Sequence, residues 1–126
     1  MVARDHPLAR RQKIAFAQVL QHDFVGLDRA SALQRFLADK AAKGGRPLRL
    51  RVQLRSFDSV CRLVECHVGI GIVPETTARR VARTMAIAVV PLTDAWAERE
   101  LTICIRSLEA LPIYARQLVQ HLRADV

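Results

Sequence analysis

Aromatic side chains are few: four Phe, one Tyr and one Trp in 126 residues. A surface that grips single-stranded nucleic acid by base stacking needs more of them. Cysteine is scarce too. Its three copies are an odd number without paired spacing, which fits a reducing cytoplasm and argues against a disulfide scaffold. Gly and Pro occur five times each, too rarely for collagen, low complexity or disorder. No apolar run approaches the ~18 residues of a membrane-spanning helix. The opening segment MVARDHPLARR lacks the apolar stretch of a secretory signal. What is present is a chain half apolar and a quarter charged, long enough for one domain with its own core, or one domain and a fragment of another.

Acidic residues are sparse in one region only. Residues 1–55 hold twelve Lys/Arg against four Asp/Glu, whereas residues 56–126 hold eight of each. The whole net charge of +8 therefore sits in the first 55 residues. One reading is a nucleic-acid footprint, but the basic residues are spread rather than run together, which favours a solvated face or a face that meets something acidic in a longer chain.

Strand-like and helix-like patterns alternate. Residues 23–27 are a short apolar run expected to form a buried strand. Ser31 opens a helix, paired with Gln34 as a capping box, and Leu33, Phe36, Leu37 and Ala41 recur at helical spacing until Gly44-Gly45 stops it. Residues 48–54 alternate apolar and polar, as a half-exposed strand does. Ser56 caps the next helix, with Asp58 in its first turn and Phe57, Val60, Cys61 and Val64 on one face. Strands are expected at 68–73 and 86–92, a polar helix at 75–84, and a strand carrying Leu101, Ile103 and Ile105. Pro112 suits the first position of a last helix with Ala115, Leu118, Val119 and Leu122 as its stripe. This order argues an α/β fold with a central, mainly parallel sheet flanked by helices. Such sheets bind ligands beyond the carboxyl ends of their strands, which selects the loops at 27–31, 55–59 and 73–76.

Several constellations resolve to structural roles. Gly69 and Gly71 form a G-x-G whose third glycine position holds Pro74, so a closely packed strand is expected rather than a dinucleotide site. Cys61, Cys66 and His67 with Cys104 or His121 match no common zinc spacing, and Cys61 lies on an apolar helix face. No metal and no cofactor is expected. Ser56 and Asp58 lack a G-x-S-x-G elbow and are explained by capping. The same helix N-terminus offers free N–H groups to an anion, and these two readings share residues. The Arg79-Arg80-Val81-Ala82-Arg83 cluster reads as a solvated helix face, and Trp96 and Tyr114 as packing anchors.

In this order the residues resemble the effector-binding region of LysR-type transcriptional regulators. The carriers are Arg4-Asp5-His6-Pro7-Leu8-Ala9, then Asp23-Phe24-Val25-Gly26-Leu27-Asp28 with Ser31-Ala32-Leu33, and Val60-Cys61-Arg62-Leu63-Val64-Glu65 leading into Val68-Gly69-Ile70-Gly71-Ile72-Val73-Pro74. The resemblance implies a fold like type 2 periplasmic binding proteins, in which two Rossmann-like subdomains flank a cleft for a small effector. Residues 1–92 would be the second subdomain with its crossover strands. Residues 93–126 would be the closing strand and helix of the first. The winged helix-turn-helix that reads DNA, the linker helix and most of the first subdomain would lie outside this sequence.

The resemblance implies effector contacts at Ser56, Phe57 and Asp58, at Asp28, Arg29 and Ser31, and at Val73 and Pro74. It implies a non-enzymatic, cytoplasmic sensor of a small molecule such as an organic acid or aromatic, acting as a homo-oligomer, with no membrane partner. Where the family usually has glycine, this chain has His67, so a left-handed backbone is expected there. Two other classes remain: a solute-binding module without a role in transcription, and a small α/β enzyme using Cys66 or Ser56 as nucleophile.

Overall fold

Side chains alternate across a strand, and β2 (Asp23–Leu27) uses that alternation to organise the molecule. Phe24 joins a buried cluster with Leu37 and Ala41 on one side of the sheet. Val25 joins a second cluster with Val60, Cys61 and Val64 on the other. The result is three layers, helix on sheet on helix, and the computed structural model describes residues 1–124 of it.

In chain order the other elements are β1 (Val2–Ala3), α1 (Phe16–Val19), α2 (Ala32–Lys43), β3 (Arg49–Leu54), α3 (Phe57–Glu65), α4 (Glu75–Val81), β4 (Ile87–Ala88) and α5 (Ile113–Ala124). Short 3₁₀ turns occupy Pro7–Arg10 and Ala95–Ala97. β2 and β3 pair in parallel, and β1 pairs antiparallel with β4. The extended segment 68–73 joins the two ladders. Ile70 bridges Phe24 in parallel, and Gly71 exchanges both backbone hydrogen bonds with Met1. The spatial order is therefore β3, β2, the 68–73 segment, β1, β4. Gly69 is needed at that junction, because a Cβ there would stand 2.7 Å from the Asp23 carbonyl oxygen. The expected close-packed G-x-G is what the structure contains.

Helix ends follow the sequence signals. Ser31 Oγ accepts from the Gln34 N–H at 3.4 Å, and Ser56 Oγ accepts from the Ser59 N–H at 3.2 Å. The capping box at Ser31 is only half made. The Ser31 N–H goes to the Asp28 carbonyl, and the Gln34 side chain is buried beside Gly26 with its Nε2 unpartnered. Gly45 ends α2 at φ +75°, and His67 follows α3 at φ +63°.

Several expectations are corrected. The strands at 68–73 and 86–92 shrink to a bridge and a two-residue strand, and the helix expected at 75–84 ends at Val81. Pro112 precedes the first helical residue of α5 instead of occupying it. Leu101, Ile103 and Ile105 alternate in sequence but form no strand; their exposures are 99%, 43% and 41%. A strand needs an edge to pair with, and among the described residues neither ladder takes this segment in. Tyr114 is exposed rather than a packing anchor, and Leu118 and Leu122 on α5 are exposed as well.

Candidate functional site

Parallel pairing sends β2, β3 and the 68–73 segment toward one end of the sheet, where Leu27, Leu54 and Val73 finish. Beside that end lies a cavity of about 960 Å³, within the usual range for a small-molecule site. Its walls come from the turn after β1 (Leu8), from α2 (Leu33, Phe36), from the start of α3 (Phe57), from the 70–76 segment and from residues 89–99.

The lining is mostly apolar and is ordered by aromatic packing. Trp96 meets Phe16 edge-on at 5.0 Å and Phe36 at 5.4 Å between ring centroids. The Arg99 guanidinium stands 4.5 Å over the Phe36 ring, and Lys40 lies 5.2 Å from the same ring. Such cation–π contacts hold a positive charge against an apolar wall. Asp94 is already committed, its Oδ2 accepting the Phe16 N–H at 2.7 Å and tying the Trp96 turn to α1.

Of the eight residues singled out in the sequence, Phe57, Val73 and Pro74 line this cavity. The other five do not. Ser56 is exposed, and its hydroxyl also donates to Ser59 Oγ at 2.9 Å. Asp58 is exposed and paired with Arg80 of α4 at 3.2 Å. Asp28 Oδ1 accepts the Ala30 N–H at 3.1 Å, Arg29 is exposed, and Ser31 caps α2.

Leu8, Leu33, Phe36, Trp96 and Arg99 line the cavity without having been singled out. Leu33 and Phe36 belong to the apolar stripe of α2, which reads in sequence as core. Trp96 likewise reads as a packing anchor, and half of that reading holds, since it packs on Phe16 while facing the cavity.

The nucleophile candidates have other surroundings. Cys61 is buried on α3, and burial raises its thiol above the ordinary value. Cys66 is exposed, and the neighbouring His67 pairs with Asp5. Among the described residues no three His, Cys, Asp or Glu side chains gather as a metal site, and no helix is long and apolar enough to cross a membrane.

The family model described as the LysR substrate binding domain matches residues 1–126. The chain belongs to that family. Among solved structures it is similar to the effector-binding domain of QuiR in complex with shikimate, with a TM-score of 0.63 at 19% identity. That match covers 74% of this chain and 43% of that one, so the chain spans less than half the length of the QuiR domain. No curated protein matches. The fold of this LysR substrate binding domain is thus part of a type 2 periplasmic-binding-protein-like architecture. The left-handed His67, expected from the family's glycine at that position, is present at φ +63°.

Proposed function

We propose that this LysR substrate binding domain senses a small organic acid or aromatic in the 960 Å³ cavity, as the ligand-responsive part of a bacterial transcriptional regulator. The cavity itself is the observation that carries the reading: an apolar, aromatic-lined space at the carboxyl ends of parallel strands, with Arg99 as the cation in its wall. The QuiR effector-binding domain binds shikimate and supports the ligand class.

In this proposal Phe57, Val73 and Pro74 form the floor beneath the effector's apolar body. Ser56, Asp28, Arg29 and Ser31, in the loops at the same end of the sheet, and Asp58, in the first turn of α3, would form an outer rim beyond the residues that line the cavity. The Asp58–Arg80 pair offsets the negative charge that would otherwise oppose an anionic effector at the start of α3. Effector binding favours one arrangement of the subdomains around the cleft, and the full regulator passes this population shift to its DNA-binding domains. The domain is not an enzyme, works in the cytoplasm and functions as a homo-oligomer. Exposed Leu101, Ile113, Leu118 and Leu122 support association, since large exposed apolar groups in one region tend to be covered. A monodisperse monomer in light scattering at about micromolar concentration overturns the oligomer.

A thermal-shift screen of small organic acids and aromatics, starting with shikimate, tests the sensing role. It is run on this chain and on the complete regulatory domain. Saturable stabilisation is expected, about 2.7 kcal/mol when ligand is at a hundred times its dissociation constant. Phe57→Ala and Arg99→Ala should weaken it. A complete domain whose midpoint no compound raises refutes the proposed ligand class.

A further inference from the structure

Three chain crossings meet at the amino end of the parallel strands. β1 ends at Ala3, β2 begins at Asp23, and the next strand segment begins at Val68. Together they form a concavity of about 190 Å³ lined by His6, His22 and His67 with Asp23 and Arg51. The His6 and His22 rings meet edge-on at 5.4 Å, and His22 Nε2 is buried without a hydrogen-bond partner. His67 Nε2 meets Asp5 Oδ1 at 2.5 Å. Asp23 is held by Arg49 at 3.1 Å and Arg51 at 3.7 Å. The carboxylates here are therefore paired, and His6 and His22 are the groups without a counter-ion.

His6 also has a structural task. It precedes the Pro7–Arg10 turn, and its Nδ1 accepts the Leu8 N–H at 3.1 Å. Pro7 has no N–H, so Leu8 supplies the first orphan donor of the turn. A neutral His6 that accepts through Nδ1 carries its proton on Nε2. It cannot ligate a metal through Nε2 and keep this cap, which agrees with the lack of a three-ligand cluster among the described residues. Leu8 is in turn a wall of the large cavity.

We propose that His6 is a proton-sensitive cap coupling this histidine cluster to the wall of the effector cavity. The coupling to sensing rests on the proposed role of that cavity. A proton taken from solvent forms an N–H bond at Nδ1 and breaks the Leu8 N–H···Nδ1 hydrogen bond. Two donors then face each other, the ring turns away, and Leu8 is released from its place in the cavity wall. Around the ring, His22 and His67 oppose protonation, Asp5 favours it, and Asp23 is held by Arg49 and Arg51; Arg4, two residues before His6, directs its guanidinium to the Met85 carbonyl at 3.4 Å. Burial of the ring is the largest influence and lowers its proton affinity, with His22 adding to it. The cap therefore holds at neutral pH. Its stabilisation is present above the ordinary histidine value of 6.5 and is lost as pH falls from there toward the lower folded value.

The test follows the ligand-free protein by NMR and by emission of its single tryptophan, Trp96, between about pH 8 and about pH 5. His6→Asn keeps an acceptor two residues before its donor, as Asp28 does for Ala30 in this same chain, and does not titrate there. The wild type should show one upfield titration of the Leu8 amide proton below the ordinary histidine value, with Trp96 emission following the same midpoint. His6→Asn should be flat in both, and His6→Ala should resemble the acid form throughout. A Leu8 amide that does not titrate, or a His6→Asn variant that titrates like the wild type, overturns the cap. Trp96 emission that stays flat while Leu8 titrates overturns the coupling to the cavity. Neither readout needs an effector, so a failed ligand screen leaves this result to stand separately.

Discussion

Replacing Gly69 with alanine places a methyl carbon 2.7 Å from the Asp23 carbonyl oxygen, 3.1 Å from its carbonyl carbon and 3.3 Å from that of Phe24. These distances lie inside the ~3.5 Å at which nonbonded heavy atoms are comfortable. The obstructing atoms are backbone and are fixed from both sides. The Asp23 carbonyl accepts the Ile70 N–H at 2.9 Å, and the Ile70 carbonyl accepts the Val25 N–H at 2.8 Å. Relief therefore means loosening that pairing, with hydrogen bonds worth about 1 kcal/mol each. Overpacking elsewhere costs about 1–3 kcal/mol. We expect a loss of about 2–3 kcal/mol, which lowers the midpoint of a domain this size by roughly 8–12 °C. Thermal unfolding followed by circular dichroism measures it. Gly45→Ala is the control: nothing lies within 4 Å of its added methyl, but φ is +75°, so about 1 kcal/mol is expected from conformation alone. A Gly69→Ala protein that melts within roughly 2 °C of its parent would refute close backbone approach as the reason for this glycine.

Other outcomes follow from single contacts. A thiol reagent should modify Cys66 and Cys104 quickly and Cys61 slowly, because Cys61 is buried and burial raises its thiol value; three equally fast thiols would contradict the core on α3. Ser56→Ala should lower stability by about 1 kcal/mol through loss of the cap on α3, read as a shifted denaturation midpoint. His67→Gly relieves about 1 kcal/mol or less of left-handed cost, but it adds unfolded-state freedom and gives up the Asp5 contact, so the neutral-pH midpoint should be unchanged or slightly lowered. The His67 hydrogen bond holds the Asp5 carboxyl below its usual 3.8. That contribution is present above 3.8 and is lost as pH falls through the lowered value, so melts at about pH 5 and about pH 3 should differ less in His67→Gly than in the wild type.

Elements with strong local signals were legible in the sequence. The apolar run at Asp23–Leu27, the caps at Ser31 and Ser56, the α3 stripe and the glycine stop of α2 each follow from residue type and spacing. Leu101, Ile103 and Ile105 show the limit of that logic. Alternation states which face a strand would bury, but pairing depends on an edge that local sequence does not contain. Tyr114 fails as a packing anchor for the same reason, since α5 buries none of its residues fully. The cavity was half legible. The strand-end rule led to Phe57, Val73 and Pro74, because loops after parallel strands share one end. Phe36, Trp96 and Arg99 stayed hidden because an aromatic that packs on one side and faces a cavity on the other looks like core in sequence.

The ladder between β1 and β4 joins Val2 to Ala88, and the 68–73 segment reaches Met1 only through a similar span of chain. During synthesis at about 5–20 residues per second, the first strand waits roughly 4–17 s for that partner to be made. Until then the inner sheet positions beside Met1 and Val2 stay open, while β2, α2 and β3 already have each other as local partners. The nascent domain thus has an early half that assembles from neighbours in the chain and a late half closed by its most distant pairing. Such long-range closure is slow and leaves apolar surface exposed to other chains. Substitutions along Ile87–Ala88 would on this account reduce the yield of folded protein more than their effect on the finished molecule's stability implies.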